Sequence, residues 1–172
     1  MQMLEAGGVE PLMDDHMVAD IDNPGGYYEY EKVLDIPQDM SWLGDALGKS
    51  MKVLVGGLTA LPSNYDYKVI YIHRDPGEVI VSLKRLLVRG GADPSYHDIS
   101  DVIYREKLYT DRVKRWVLEN DNVTLIHINH NQTLREPDNI AKQIANLIPD
   151  TDADAMAAAV NRDWYRNRVV DL

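Results

Sequence analysis

The apolar positions of the chain change their period several times, and each change marks an element. From Tyr67 to His73 (YKVIYIH), β-branched and aromatic residues run almost unbroken, the pattern of a parallel strand buried on both faces. A helix is predicted directly after it. Asp75 suits the N-cap, Pro76 the first helical position, and Glu78 the first turn, where the helix dipole favours negative charge. Ile80, Leu83 and Leu87 recur at helical spacing and face the sheet, and Gly90 with Gly91 supplies the stop. Further on, His97 to Asn120 carries Ile99, Val102, Ile103, Val113, Trp116 and Val117, the pattern of a long helix with one wet face. Asn122 to Asn129 (NVTLIHIN) reads as a second buried strand. Pro137 to Ile148 repeats Ile140, Ile144, Leu147 and Ile148 as a packed helix, and Thr151 with Asp154 resembles a capping box for a last helix, Ala155 to Val160.

The first third of the chain is less periodic. Met1 to Ala6 is a run of helix formers that begins without a cap and is ended by Gly7 and Gly8. Val9 to Asn23 is acidic and irregular, Pro24 to Gly26 marks a turn, and Ser41 to Leu47 reads as a short helix. Met51 to Val55 is expected to be a short buried strand leading to Gly56 and Gly57. Strands alternating with helices indicate an α/β layered fold.

At 172 residues the chain suits one domain, 1–172, with a sizeable core. A formal net charge of −10 argues against nucleic acid and anionic membrane as partners. There is no cysteine, which excludes disulfides, thiolate catalysis and cysteine-held zinc and fits a reducing compartment. No apolar run reaches membrane-spanning length and no signal peptide opens the chain, so a cytoplasmic protein is expected.

The chemistry concentrates where the first predicted strand meets its helix. In open α/β sheets ligands bind beyond the carboxyl ends of the strands, so His73 to Glu78 should line a site. Arg74 sits at that tip, ahead of a helix N-terminus whose N–H groups favour an anion, and its planar fork suits a phosphate. Ser82 lies eight residues on, about two helical turns in, with Glu78 between them on the same side. A plainer alternative stands beside this one: Arg74 closes a turn and Ser82 is a surface serine.

Other short matches carry less. GDALGKS at Gly44 to Ser50 approximates a phosphate-binding loop, but it is one residue short and precedes a strand instead of following one. His73-Arg74-Asp75 echoes a kinase catalytic loop without the other kinase elements. His127 and His130 would point to opposite faces of a strand and share no metal. Asp14, Asp15, Asp20 and Asp22 around His16 lack a recognised ligand spacing and read as a solvated loop, so no metal is expected.

Four segments together resemble the sulfotransferase family in its bacterial and phage-type branch: MLEAGG at Met3 to Gly8, DNPGGYYEYE at Asp22 to Glu31, YKVIYIHRDPGEVIVSLKRLL at Tyr67 to Leu87, and WYRNR at Trp164 to Arg168. The resemblance implies a three-layer sandwich with a parallel, P-loop NTPase-like sheet. It also implies that the chain begins just after the family's phosphosulfate-binding loop and lacks the first, central strand. It implies a donor, 3′-phosphoadenosine 5′-phosphosulfate, held by Arg74 and Ser82 and by Arg166 and Arg168, with no metal. The acceptor would be a small molecule or glycan bearing a hydroxyl or amine. No histidine stands between Val53 and Gly57, where cytosolic eukaryotic members place their base, so a carboxylate is expected to serve: Glu29 first, Glu31 second, with partial burial among Tyr27, Tyr28 and Tyr30 raising its pKa. Without the loop, activity of this chain is doubtful. A P-loop nucleotide or small-molecule kinase and a non-catalytic nucleotide-binding remnant stay open as alternatives.

Overall fold

In the computed structural model, strand β1 (Tyr67–His73) and strand β2 (Val123–Asn129) pair in parallel over their whole length, Tyr67 opposite Val123 and His73 opposite Asn129. Residues 1–15, 19, 23–96 and 98–165 are described, Tyr96 by its backbone only. The helices in chain order are α1 (Gln2–Ala6), α2 (Val55–Leu58), α3 (Pro76–Arg89), α4 (Ile99–Leu118), α5 (His130–Arg135), α6 (Pro137–Leu147) and α7 (Ala153–Ala158). Short 3₁₀ turns fill Glu31–Asp35, Ser41–Ala46, Pro94–Tyr96 and Arg162–Trp164. The fold is mixed α/β around a small parallel sheet.

The pleat sorts the strand residues between two cores. Tyr67, Val69, Tyr71, Val123 and Leu125 face the first, which α4 closes with Val113 and Trp116 and the 33–61 region with Trp42 and Leu43. Ile70, Ile126 and Ile128 face the second, built from Ile140, Ala141 and Ile144 of α6 and Met156 of α7. Helix α1 packs on α7, where Gly7 leaves no room for a Cβ beside Met156. A strand is thus apolar on both faces because a core lies on each.

Several expectations need correction. Neither strand is wholly buried: Ile72 is 55% exposed, and only Val123 and Ile128 of β2 are buried. A sheet of two strands among the described residues gives each strand a single neighbour, so part of its surface stays open. Met51 to Val55 is not a strand. Ser50 makes one isolated bridge to Pro11, and the chain then turns into α2, which takes in Gly56 and Gly57. The last helix starts earlier than predicted, because Asp152 accepts from the Ala155 N–H at 2.9 Å, whereas the Thr151 hydroxyl donates back to the Ile148 carbonyl. His130 is not on a strand; it opens α5. Among the described residues no helix is long and apolar enough to cross a membrane.

Candidate functional site

Because β1 and β2 are parallel and in register, the turns that leave them lie side by side. At the end of β1, the Asp75 carboxylate accepts from the Glu78 N–H at 3.2 Å and starts α3. At the end of β2, Asn129 accepts from the Asn131 and Gln132 N–H groups at 2.9 and 3.1 Å and starts α5. Two side-chain networks form between these turns.

The first centres on Glu78, whose side chain is only 3% exposed. Arg74 Nε donates to its Oε2 at 3.2 Å, Asn131 Nδ2 donates to its Oε1 at 2.8 Å, and the Tyr165 hydroxyl donates to the same Oε1. His130 Nδ1 in turn meets the Asn131 Oδ1 at 3.1 Å, and its ring lies 5.9 Å from that of Tyr165. Burial alone would push the Glu78 carboxyl up. The hydrogen bonds from Tyr165, Asn131 and Arg74, with the arginine's charge, outweigh it and hold the carboxyl below the usual carboxylate range.

This geometry aims Arg74. Its Nε is fixed by Glu78, no other described residue bonds the guanidinium, and the side chain is 29% exposed, so the two terminal nitrogens remain for an anion. The helix N-terminus contributes less than the sequence suggested. Pro76 has no N–H and that of Glu78 is taken by Asp75, so of the first three helical positions only Gly77 offers an N–H beside the arginine side chain. Ser82 is half-buried one turn beyond Glu78 on the same helix face, and no described residue bonds its hydroxyl.

The segments singled out in the sequence converge around this network. Gln2 of α1 donates from Nε2 to the Gly25 carbonyl at 3.0 Å, and Tyr28 donates its hydroxyl to Glu5. Burial, followed by that bond, pushes the Tyr28 phenol up to about 12. A Cβ on Gly25 would collide with Gln2 and lie 2.9 Å from the Trp164 ring, and Tyr165 is the next residue, the one on Glu78. Glu29 and Glu31 do not join this network. Glu29 is 44% exposed and its carboxylate accepts from Lys52 Nζ at 2.7 Å. Glu31 is exposed at the start of a 3₁₀ turn, its N–H donated to Asp14. Arg166 and Arg168, with His16, Asp20 and Asp22, lie outside the described residues.

The second network was not foreseen. His73 Nδ1 lies 3.0 Å from Glu106 Oε1 of α4, and His73 Nε2 lies 2.8 Å from His127 Nδ1. The two imidazoles are inclined by 30° with centroids 5.0 Å apart, so they meet edge to edge through their nitrogens, while Tyr71 packs edge-on against both. Partial desolvation pushes the His127 imidazole below its usual range, and His73 and Lys114 oppose further positive charge. A cavity of about 320 Å³ opens beside His73, lined from α4 by Ile103, Lys107 and Lys114 among others, and it does not reach Arg74 or Ser82. Glu78 carried one legible signal, its place four residues after Arg74. Asn131, Tyr165 and the histidine pair carried none, since they depend on strand register. No group of histidines and carboxylates that could hold a metal is present among the described residues. Compared with known proteins, the chain matches no family model, no curated protein and no solved structure.

Proposed function

We propose that this is a sulfotransferase-like domain that binds 3′-phosphoadenosine 5′-phosphosulfate, whose sulfuryl group goes to a hydroxyl or amine of a small-molecule or glycan acceptor. A P-loop NTPase-like sandwich is the fold this reading implies; parallel strands with a core on each face support that part of it. The observation that carries the reading is the guanidinium of Arg74 at the carboxyl end of β1, anchored through Nε by a buried carboxylate and left with two parallel donors. That arrangement suits the 3′-phosphate, with the Ser82 hydroxyl adding a third bond from α3.

Calorimetry with adenosine 3′,5′-bisphosphate tests it. Each charge-assisted bond is worth roughly 1.5–3 kcal/mol, so loss of the two that Arg74 would make is expected to weaken binding in Arg74→Ala by about ten- to a hundredfold or more. Ser82→Ala should lose less, and Arg74→Lys should recover only part, because a point charge does not reproduce the fork. Adenosine 5′-monophosphate, without the 3′-phosphate, should be indifferent to all three. Equal losses for the two ligands, or tighter binding of ATP than of the bisphosphate, would overturn the reading.

A further inference from the structure

The two oxygens of the buried Glu78 carboxylate are filled unequally. Oε1 accepts from two donors, Asn131 Nδ2 at 2.8 Å and the Tyr165 hydroxyl, which use its two lone pairs. Oε2 accepts from Arg74 Nε at 3.2 Å, and no other described residue bonds it. An arginine four residues from a carboxylate would otherwise close on it fork to fork, one nitrogen on each oxygen. Here Oε1 is already taken, so Arg74 is held at a single point.

Both donors on Oε1 are themselves fixed from outside β1. The Asn131 Oδ1 meets His130 Nδ1 at 3.1 Å, which turns the amide nitrogen of Asn131 toward Glu78. Tyr165 ends a 3₁₀ turn and donates its N–H to the Arg162 carbonyl at 3.1 Å, while Arg162 Nη2 reaches the Arg135 carbonyl at 3.3 Å. Trp164, the residue before it, lies against Gly25, where a Cβ would come within 2.9 Å of the indole ring.

We propose that Asn131 and Tyr165 are positioning residues for anion recognition: by filling Oε1 of Glu78 they prevent the fork-to-fork pair and keep the terminal nitrogens of Arg74 turned out toward a phosphate. With either donor gone, the guanidinium swings onto both oxygens of Glu78, the ion pair satisfies itself, and donors are withdrawn from the ligand. The seat of Tyr165 thereby regulates the site. When the segment ending at Tyr165 is docked, Arg74 is open; when it lifts, Arg74 closes onto its own neighbour. Naming the 3′-phosphate as the anion rests on the donor reading, whereas the pairing of Arg74 does not.

The pairing can be read without ligand. In ¹H–¹⁵N spectra of the arginine side chains, with the Arg74 signals identified by their absence in Arg74→Lys, the parent should give an Nε–H signal and terminal nitrogens averaged by rotation. Tyr165→Phe and Asn131→Leu each remove one donor and keep most of the bulk. In either variant, hindered rotation should resolve the terminal N–H signals of Arg74, the mark of a pair closed on both oxygens. Calorimetry should then show adenosine 3′,5′-bisphosphate bound about three- to tenfold more weakly, the worth of about one hydrogen bond, with adenosine 5′-monophosphate within about twofold of the parent. A merely structural role would weaken both ligands alike. If one variant loses its folded backbone spectrum, the other carries the same test. Arg74 signals unchanged in the folded variants, or bisphosphate affinity within about twofold of the parent, would overturn the positioning role. Failure of the bisphosphate to bind the parent would sink the donor reading alone, and the arginine spectra would still decide how Arg74 is held.

Discussion

Glu78 is the side chain on which the strand ends depend. It is nearly enclosed, and its charge is met by donors from three parts of the chain: Arg74 beside it, Asn131 of α5 and Tyr165 near the end of the described residues. A lone buried carboxylate would be driven to its neutral form; three donors reverse that preference. Because the folded carboxyl titrates below the unfolded one, the stability it contributes is complete above the unfolded midpoint near pH 4.3 and disappears as pH falls through the lowered folded value. Glu78→Gln keeps the shape but presents an amide to donors, and should cost on the order of 2–3 kcal/mol at pH 7. Urea titrations at pH 7 and near pH 3 should show the gap between parent and variant narrowing in acid, and a gap independent of pH would mean that Glu78 is held for its shape and not its charge.

At the scale of elements, side-chain caps decide where helices begin. Asp75, Asp98, Asn129 and Asp152 each accept from N–H groups of the first turn that follows. Helix α4 shows the effect plainly: its apolar pattern could run on from His97, but Asp98 receives the Ser100 and Asp101 N–H groups at 2.7 and 3.2 Å and fixes the start at Ile99. Asp98→Ala should cost about 1 kcal/mol, which for a chain of this length lowers Tm by roughly 2–4 °C. A scanning-calorimetry change under half a degree would show that packing of Val113 and Trp116, and not the cap, sets the helix. The missing strand at Met51 to Val55 shows the converse. Apolar composition alone does not make a strand, because its N–H and C=O groups need a neighbouring ladder, and the single bridge here is made by Ser50, just before the segment.

At the scale of the whole molecule, two cores sit back to back across two strands. The second is the smaller, and Met156 of α7, 0% exposed, closes it against Ile140 and Ile144 of α6 and against Gly7 after α1. Met156→Ala should therefore cost about 2–5 kcal/mol, seen as a lower urea midpoint at unchanged slope if the cores unfold together. A reduced slope, or two transitions, would show that the α1–α6–α7 side unfolds separately. The exposed Ile72 on β1 and the exposed Tyr104 and Leu108 on α4 leave apolar surface between and beyond these cores.

The amino-acid sequence determined by itself whatever depends on neighbours along the chain. Both strands, the strand–cap–helix unit from Tyr67 to Arg89, the glycine stops and the packed face of α6 are legible because periodicity, caps and breakers act within a few residues. Arg74 was legible as a donor at a strand tip for the same reason. Only the tertiary structure decided its surroundings. Whether Glu78 would be a surface charge or a buried anchor turned on Asn131 and Tyr165, which lie 53 and 87 residues away in sequence. Whether His73 and His127 would meet turned on a parallel register that sets Tyr71 opposite His127 and brings Glu106 of α4 onto the same edge. Register is a property of two strands and what packs on them, since a slip of one residue would turn His127 to the opposite face and part it from His73 while leaving every local pattern intact.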